Sequence, residues 1–105
     1  MAKYLLAYHG GGMPETEEEQ AQVMAAWGAW YQELGAAIAD PGNPTGRATT
    51  VSAGGATSDG GGANPITGYT IIESADLDSA VASAKGCPIL QSGGTVEVCE
   101  VVEVM

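Results

Sequence analysis

Lys3-Tyr4-Leu5-Leu6-Ala7-Tyr8-His9-Gly10-Gly11-Gly12 decides how the rest of the chain is read. Seven mostly apolar, β-compatible residues stop abruptly at a triple glycine. A short apolar run bounded in this way reads as a buried central strand. The next segment has a different period. Thr16-Glu17-Glu18-Glu19 fits a capping box, in which the threonine hydroxyl accepts from the backbone N–H of Glu19 and the Glu19 side chain reaches back. Three glutamates in the first turn also suit the positive end of a helix dipole. Val23, Trp27, Trp30 and Leu34 then recur at spacings of four, three and four, which is one apolar stripe of a helix. The pattern predicts a helix from about Glu17 to Leu34, ended by Gly35.

Beyond the helix, Ala36 to Ala39 continue briefly in extended form, and Asp40-Pro41-Gly42-Asn43-Pro44 is rich in turn residues. Arg47-Ala48-Thr49-Thr50-Val51-Ser52 is β-rich but weakly apolar, and reads as an edge strand. The glycine-rich segment Ala53–Asn64 reads as a flexible surface loop. Thr67-Gly68-Tyr69-Thr70-Ile71-Ile72-Glu73 is a further strand. Asp76 is a good N-cap for a second helix, with Leu77, Ala80, Val81 and Ala84 on one face and Gly86 and Pro88 closing it. Gly94-Thr95-Val96-Glu97-Val98-Cys99-Glu100-Val101-Val102 ends the chain as a last strand.

Strand, helix, strand, strand, helix, strand is the order of a ferredoxin-like plait, an α+β fold with a four-stranded antiparallel sheet and two helices on one face. The first and last strands then lie side by side. Val, Ile, Leu and Tyr alternate onto both sheet faces, yet the helices cover only one. A second copy of the sheet is the simplest cover for the other, which makes a homodimer the expected state.

The chain has 105 residues, enough for one domain with a thin core. Three Lys/Arg against thirteen Asp/Glu give a net charge of −10. Lys3, Arg47 and Lys85 stand apart, so the clustered positive charge that a phosphate backbone needs is missing, and neither nucleic acid nor an anionic membrane is an expected partner. No apolar run is long enough to span a bilayer. Met1-Ala2-Lys3-Tyr4 lacks the layout of a signal peptide, so the cytoplasm is the expected compartment. Cys87 and Cys99 have no ligand-type neighbours and read as reduced thiols; no metal or cofactor is expected.

His9 is the only histidine, and it ends the central strand beside three glycines. Histidine exchanges protons near neutral pH, and the glycines leave room for a ligand to approach. If the first and last strands pair with His9 near Thr95 and Ala7 near Glu97, then His9 and Glu97 share a face as diagonal neighbours. A carboxylate there favours the charged imidazole and fixes its orientation. The plain alternatives are a histidine bonded to a loop carbonyl and a glutamate in water. Trp27 and Trp30 can wall a ligand site, but their spacing reads as core. Cys99 has Val98 and Glu100 beside it, not the positive surroundings that activate a thiol, and Cys87 is equally unremarkable. The glycine run lacks the lysine and the strand-to-helix setting of a phosphate loop; a lid over a cleft is its other possible use. Glu17-Glu18-Glu19 reads as helix capping, not a metal site.

The chain resembles the YCII-related proteins, and within them the DGPF-domain branch. The resemblance rests on the opening Lys3-Tyr4-Leu5-Leu6, on Trp27 and Trp30, on Thr49-Thr50-Val51, and on Gly68-Tyr69 through Ile72-Glu73. Asp76-Leu77-Asp78, Cys87-Pro88 and the ending Gly94-Thr95-Val96-Glu97-Val98 complete it. It implies a dimeric α/β barrel, in which two plaits pack sheet to sheet. Asp59-Gly60 is followed by Gly61-Gly62, so the DGPF signature is half present. The His–Asp pair proposed for some relatives does not carry over, because the histidine would fall near Met24 and its acidic partner could at best be Glu33. Three functions stay open. The first is a homodimer that binds a small metabolite in a cleft. The second is an isomerase- or lyase-type enzyme with His9 as proton shuttle and Glu97 as its orienter. The third is a regulatory or interaction module.

Overall fold

A computed structural model describes residues 1–12 and 14–104. In chain order its elements are β1 (Ala2–His9), α1 (Glu17–Leu34), β2 (Ile38–Asp40), β3 (Thr49–Val51), β4 (Thr57–Asp59), β5 (Ile66–Ser74), α2 (Leu77–Ala84) and β6 (Thr95–Glu100). Four of the strands form one sheet in the order β2-β5-β1-β6, with every neighbour antiparallel. This is the plait expected from the sequence.

Alternation along the strands sorts the two faces. Tyr4, Leu6 and Tyr8 of β1 and Ile72 of β5 are buried with Trp30 of α1 and with Ala80 and Ala84 of α2; Val96 and Val98 of β6 pack against this cluster. Leu5, Ala7 and His9 of β1 therefore point the other way. Tyr69 and Ile71 of β5 and Glu97 and Cys99 of β6 join them there, since directly paired residues share a face and Leu5 pairs with both Ile71 and Cys99. No helix of the chain packs on that second face among the described residues.

The helices form for the local reasons read from the sequence. Thr16 is extended and its hydroxyl accepts from the Glu19 N–H at 3.0 Å. The return contact differs by one residue: the Glu19 carboxylate accepts from the N–H of Glu15, not of Thr16. Trp27 and Trp30 belong to the core. Trp27 stands edge-on to Tyr8 with centroids 5.2 Å apart, and the Trp30 indole N–H donates to the Ser83 carbonyl at 3.1 Å. That bond and the surrounding rings tie α1 to α2 across the sheet.

The second strand of the sheet is not Arg47–Ser52. It is Ile38–Asp40, immediately after a single 3-10 turn that leaves α1. Ile38 supplies a partly buried apolar side chain, whereas Thr49, Thr50 and Val51 are all exposed and have nothing to add to a core. Those residues pair only with Thr57–Asp59, making a separate hairpin that turns through Gly54 and Gly55 at positive φ. Ala53–Asn64 is thus not a structureless loop, because it contains β4. The edge continues past Asp40 through a register shift, with Tyr69 N–H donating to the Asn43 carbonyl and Thr45 N–H to that of Thr67. Gly42 sits in this shift at φ +72°, where a Cβ would fall on the Tyr69 carbonyl oxygen; only glycine lets the two backbones meet. The last strand is also shorter than expected, ending at Glu100. No helix among the described residues is long and apolar enough to cross a membrane.

Candidate functional site

The strand register places His9 opposite Thr95 and Ala7 opposite Glu97. On the shared face, His9 Nε2 lies 3.0 Å from Glu97 Oε1. The two side chains are brought together by alternation alone: turning Leu6, Tyr8, Val96 and Val98 toward the helices turns His9 and Glu97 away from them.

The other side of the imidazole is also engaged. His9 Nδ1 lies 3.0 Å from the Asn64 carbonyl oxygen and 3.3 Å from that of Pro65. A carbonyl can only accept, so Nδ1 carries a proton and donates. A bulge at Tyr8 and His9 makes this reach possible, since Tyr8 pairs with Gly68 but His9 pairs with Ile66. Glycine lets the chain close in on the end of β1: a Cβ on Gly94 would come within 2.8 Å of the His9 carbonyl oxygen and 2.6 Å of Ile89. With Nδ1 protonated, the Nε2–Oε1 contact is a bond only when a second proton lies between the two atoms. Both ring nitrogens thus lie within hydrogen-bond reach of oxygen atoms.

Exposure divides the pair unevenly. The His9 side chain is 8% exposed and that of Glu97 is 62% exposed. Glu97 Oε2 has one further contact, the Cys99 thiol at 3.6 Å, two residues along the same strand face. Removal from water pushes the Cys99 thiol up from its ordinary range, and the Glu97 charge and hydrogen bond add to this. Burial pushes the Cys87 thiol up to about 11. Neither cysteine is an activated nucleophile. The two can be told apart by alkylation. Cys99 is expected to react slowly with iodoacetamide at neutral pH and faster in Glu97→Gln, where the neighbouring negative charge is gone. Cys87 is expected to react only on unfolding. Peptide mapping after a timed pulse checks both, and a Glu97→Gln rate equal to that of the parent would mean that the carboxylate does not govern this thiol.

The other candidates fall outside the site. Glu17, Glu18 and Glu19 are exposed in the first turn of α1, and the glycines of 54–62 belong to the hairpin and its exit. Among the described residues no group of three or more His, Cys, Asp and Glu side chains converges as cation ligands do. Two surface recesses, of about 370 and 280 Å³, lie elsewhere: one is apolar, between α2 and β6, and the other is beside the start of α1; neither is lined by His9 or Glu97. Glu97, 62% exposed, stands at the edge of the open face. The Asn64 and Pro65 carbonyls have no sequence signal, because they arrive through the bulge. Cys99 does have one, the two-residue spacing from Glu97.

Comparison with solved structures finds a likeness to 5-chloro-2-hydroxyhydroquinone dehydrochlorinase (TftG) of Burkholderia phenoliruptrix AC1100, in complex with 2,5-dihydroxybenzoquinone. Identity is 22%, 90% of each chain is covered, and the TM-score is 0.49. No curated protein matches the chain. The family model of the YCII-related domain matches residues 3–105, nearly the whole sequence, and the chain belongs to the YCII-related family.

Proposed function

We propose that the chain acts as a homodimer and binds a small molecule where β1 and β6 meet, at His9 and Glu97. One observation carries this reading: a buried histidine, engaged at both ring nitrogens, is bonded to an exposed carboxylate at the corner of a sheet face whose centre is apolar. A partly buried ion pair contributes little net stability compared with apolar residues of the same size. Its presence at a strand end, beside a glycine turn, suits recognition better than folding.

The dimer accounts for the rest of the open face. Leu5, Ala7, Tyr69, Ile71 and Cys99 are more apolar than a solvated face needs to be. The molecule is also thin and wide, 44 × 41 × 18 Å, with a radius of gyration of 15.1 Å. A compact chain of this length has about 13 Å. A second copy laid sheet to sheet thickens the particle and covers the apolar centre, while the corner holding Glu97 stays accessible. Native mass spectrometry at micromolar concentration is expected to give the dimer; a monomer under conditions that preserve other dimers of this size removes the dimer from this reading.

A second reading, an enzyme that moves protons in the manner of an isomerase or lyase, draws on the 3.0 Å contact between Nε2 and Oε1. General acid–base catalysis needs such a group within hydrogen-bond reach of the substrate.

A further inference from the structure

We propose that Glu97, and not His9, is the group that meets the ligand, that His9 is its positioning residue, and that the ligand is a hydrogen-bond donor without negative charge. The proposal rests on the small-molecule reading of this site and reverses the roles that the sequence suggests.

The His9 ring has no free edge. Nδ1 is held by the Asn64 and Pro65 carbonyls and Nε2 by Glu97 Oε1, and the side chain is nine-tenths buried. A ligand can reach Nε2 only by displacing the carboxylate. Glu97 is oriented the opposite way. Oε1 is fixed by the imidazole, and Oε2 keeps only a thiol contact of 3.6 Å, which is a weak donor. Oε2 is therefore the open acceptor of the site, and an acceptor selects donors: hydroxyl, amide N–H or ammonium.

Charge narrows the class further. His9 is the only positive partner of Glu97 among the described residues. Lys3 shares the open face but sits at its far end, opposite Glu73. With thirteen acidic residues against three basic ones, a carboxylate or phosphate ligand meets repulsion without compensation. Oε2 turns toward Cys99, while Ala7 is paired with Glu97 on one side and with the half-buried Tyr69 on the other. A one-ring molecule carrying a hydroxyl or an amine fits that chemistry.

Phenol, benzylamine and benzoate are probes of one size that differ in donor and charge. Titrated into ¹⁵N-labelled protein, phenol and benzylamine are expected to shift the backbone amides of Thr95 to Cys99, and benzoate to leave them in place. Glu97→Ala, an exposed substitution that spares the core, is expected to weaken both binders about tenfold or more, the scale of one hydrogen bond to a charged group. His9→Ala is expected to weaken them less. His9→Gln, whose amide can still donate to the carboxylate, should recover part of that loss, which a merely structural role for His9 would not produce. Preferred binding of benzoate overturns the proposal, as does unchanged affinity in Glu97→Ala; the small-molecule reading survives either result. If no probe shifts any amide of the open face, both fall together.

Discussion

Trp30→Ala is expected to cost about 3–5 kcal/mol, the usual range for removing a large aromatic from a core. Trp30 is the one fully buried residue of α1. Its ring packs between the sheet and the end of α2, so closely that a Cβ on Gly86 would lie 3.2 Å from it. Its N–H is the bond to Ser83 that joins the two helices. The remaining stripe residues, Val23, Trp27 and Leu34, are only half-buried and cannot replace it. A domain of this size has about 5–15 kcal/mol in total, so the substitution removes a large fraction. At about 4 °C per kcal/mol, the melting temperature followed by circular dichroism should fall by roughly 12–20 °C. Trp30→Phe keeps most of the volume and removes one donor from the Ser83 carbonyl, which still accepts from the Gly86 N–H at 3.3 Å, so a smaller loss of about 1 kcal/mol is expected. A fall of only a few degrees in Trp30→Ala would show that α1 is anchored elsewhere.

Where periodicity and burial agree, the elements were legible. β1, β5 and β6 alternate against a real core, and α1 and α2 carry both their caps and their stripes. β2 was not legible because three residues give no period, and Ile38-Ala39-Asp40 has less β character than Thr49-Thr50-Val51. Local propensity ranks the second segment higher. Sheet membership goes to the first, since it comes directly after α1 and has an isoleucine to bury, while Thr49, Thr50 and Val51 pair with Asp59, Ser58 and Thr57 in a hairpin that needs no core.

The candidate pair divides in the same way. That His9 and Glu97 share a face follows from register, and register is strict because a slip by one residue would expose Leu6 and Tyr8. Which of the two is enclosed depends on the Asn64 and Pro65 carbonyls, 55 and 56 residues away through a bulge. No local pattern encodes that contact, so the histidine looks like the accessible group in sequence and is the enclosed one in the structure.

Ile71→Glu is expected to break the proposed dimer. Ile71 lies at the middle of the open face, opposite Leu5, and its neighbour Ile72 points into the core. The substitution therefore leaves the helix side untouched, and the far-ultraviolet spectrum should not change. In a sheet-to-sheet dimer burying about 800 Å² per partner, each copy contributes one carboxylate to an apolar centre, and Lys3, two residues along β1 from Leu5, already faces Glu73. Two such burdens of about 2 kcal/mol or more weaken association by at least about a thousandfold. Sedimentation equilibrium at micromolar concentration should then find a folded monomer. Met24→Glu is the matched control: Met24 is 68% exposed on the outer side of α1, and a charge there should leave the dimer intact. If Met24→Glu dissociates the protein and Ile71→Glu does not, the copies meet through the helices, and the open sheet with its Glu97 corner faces water.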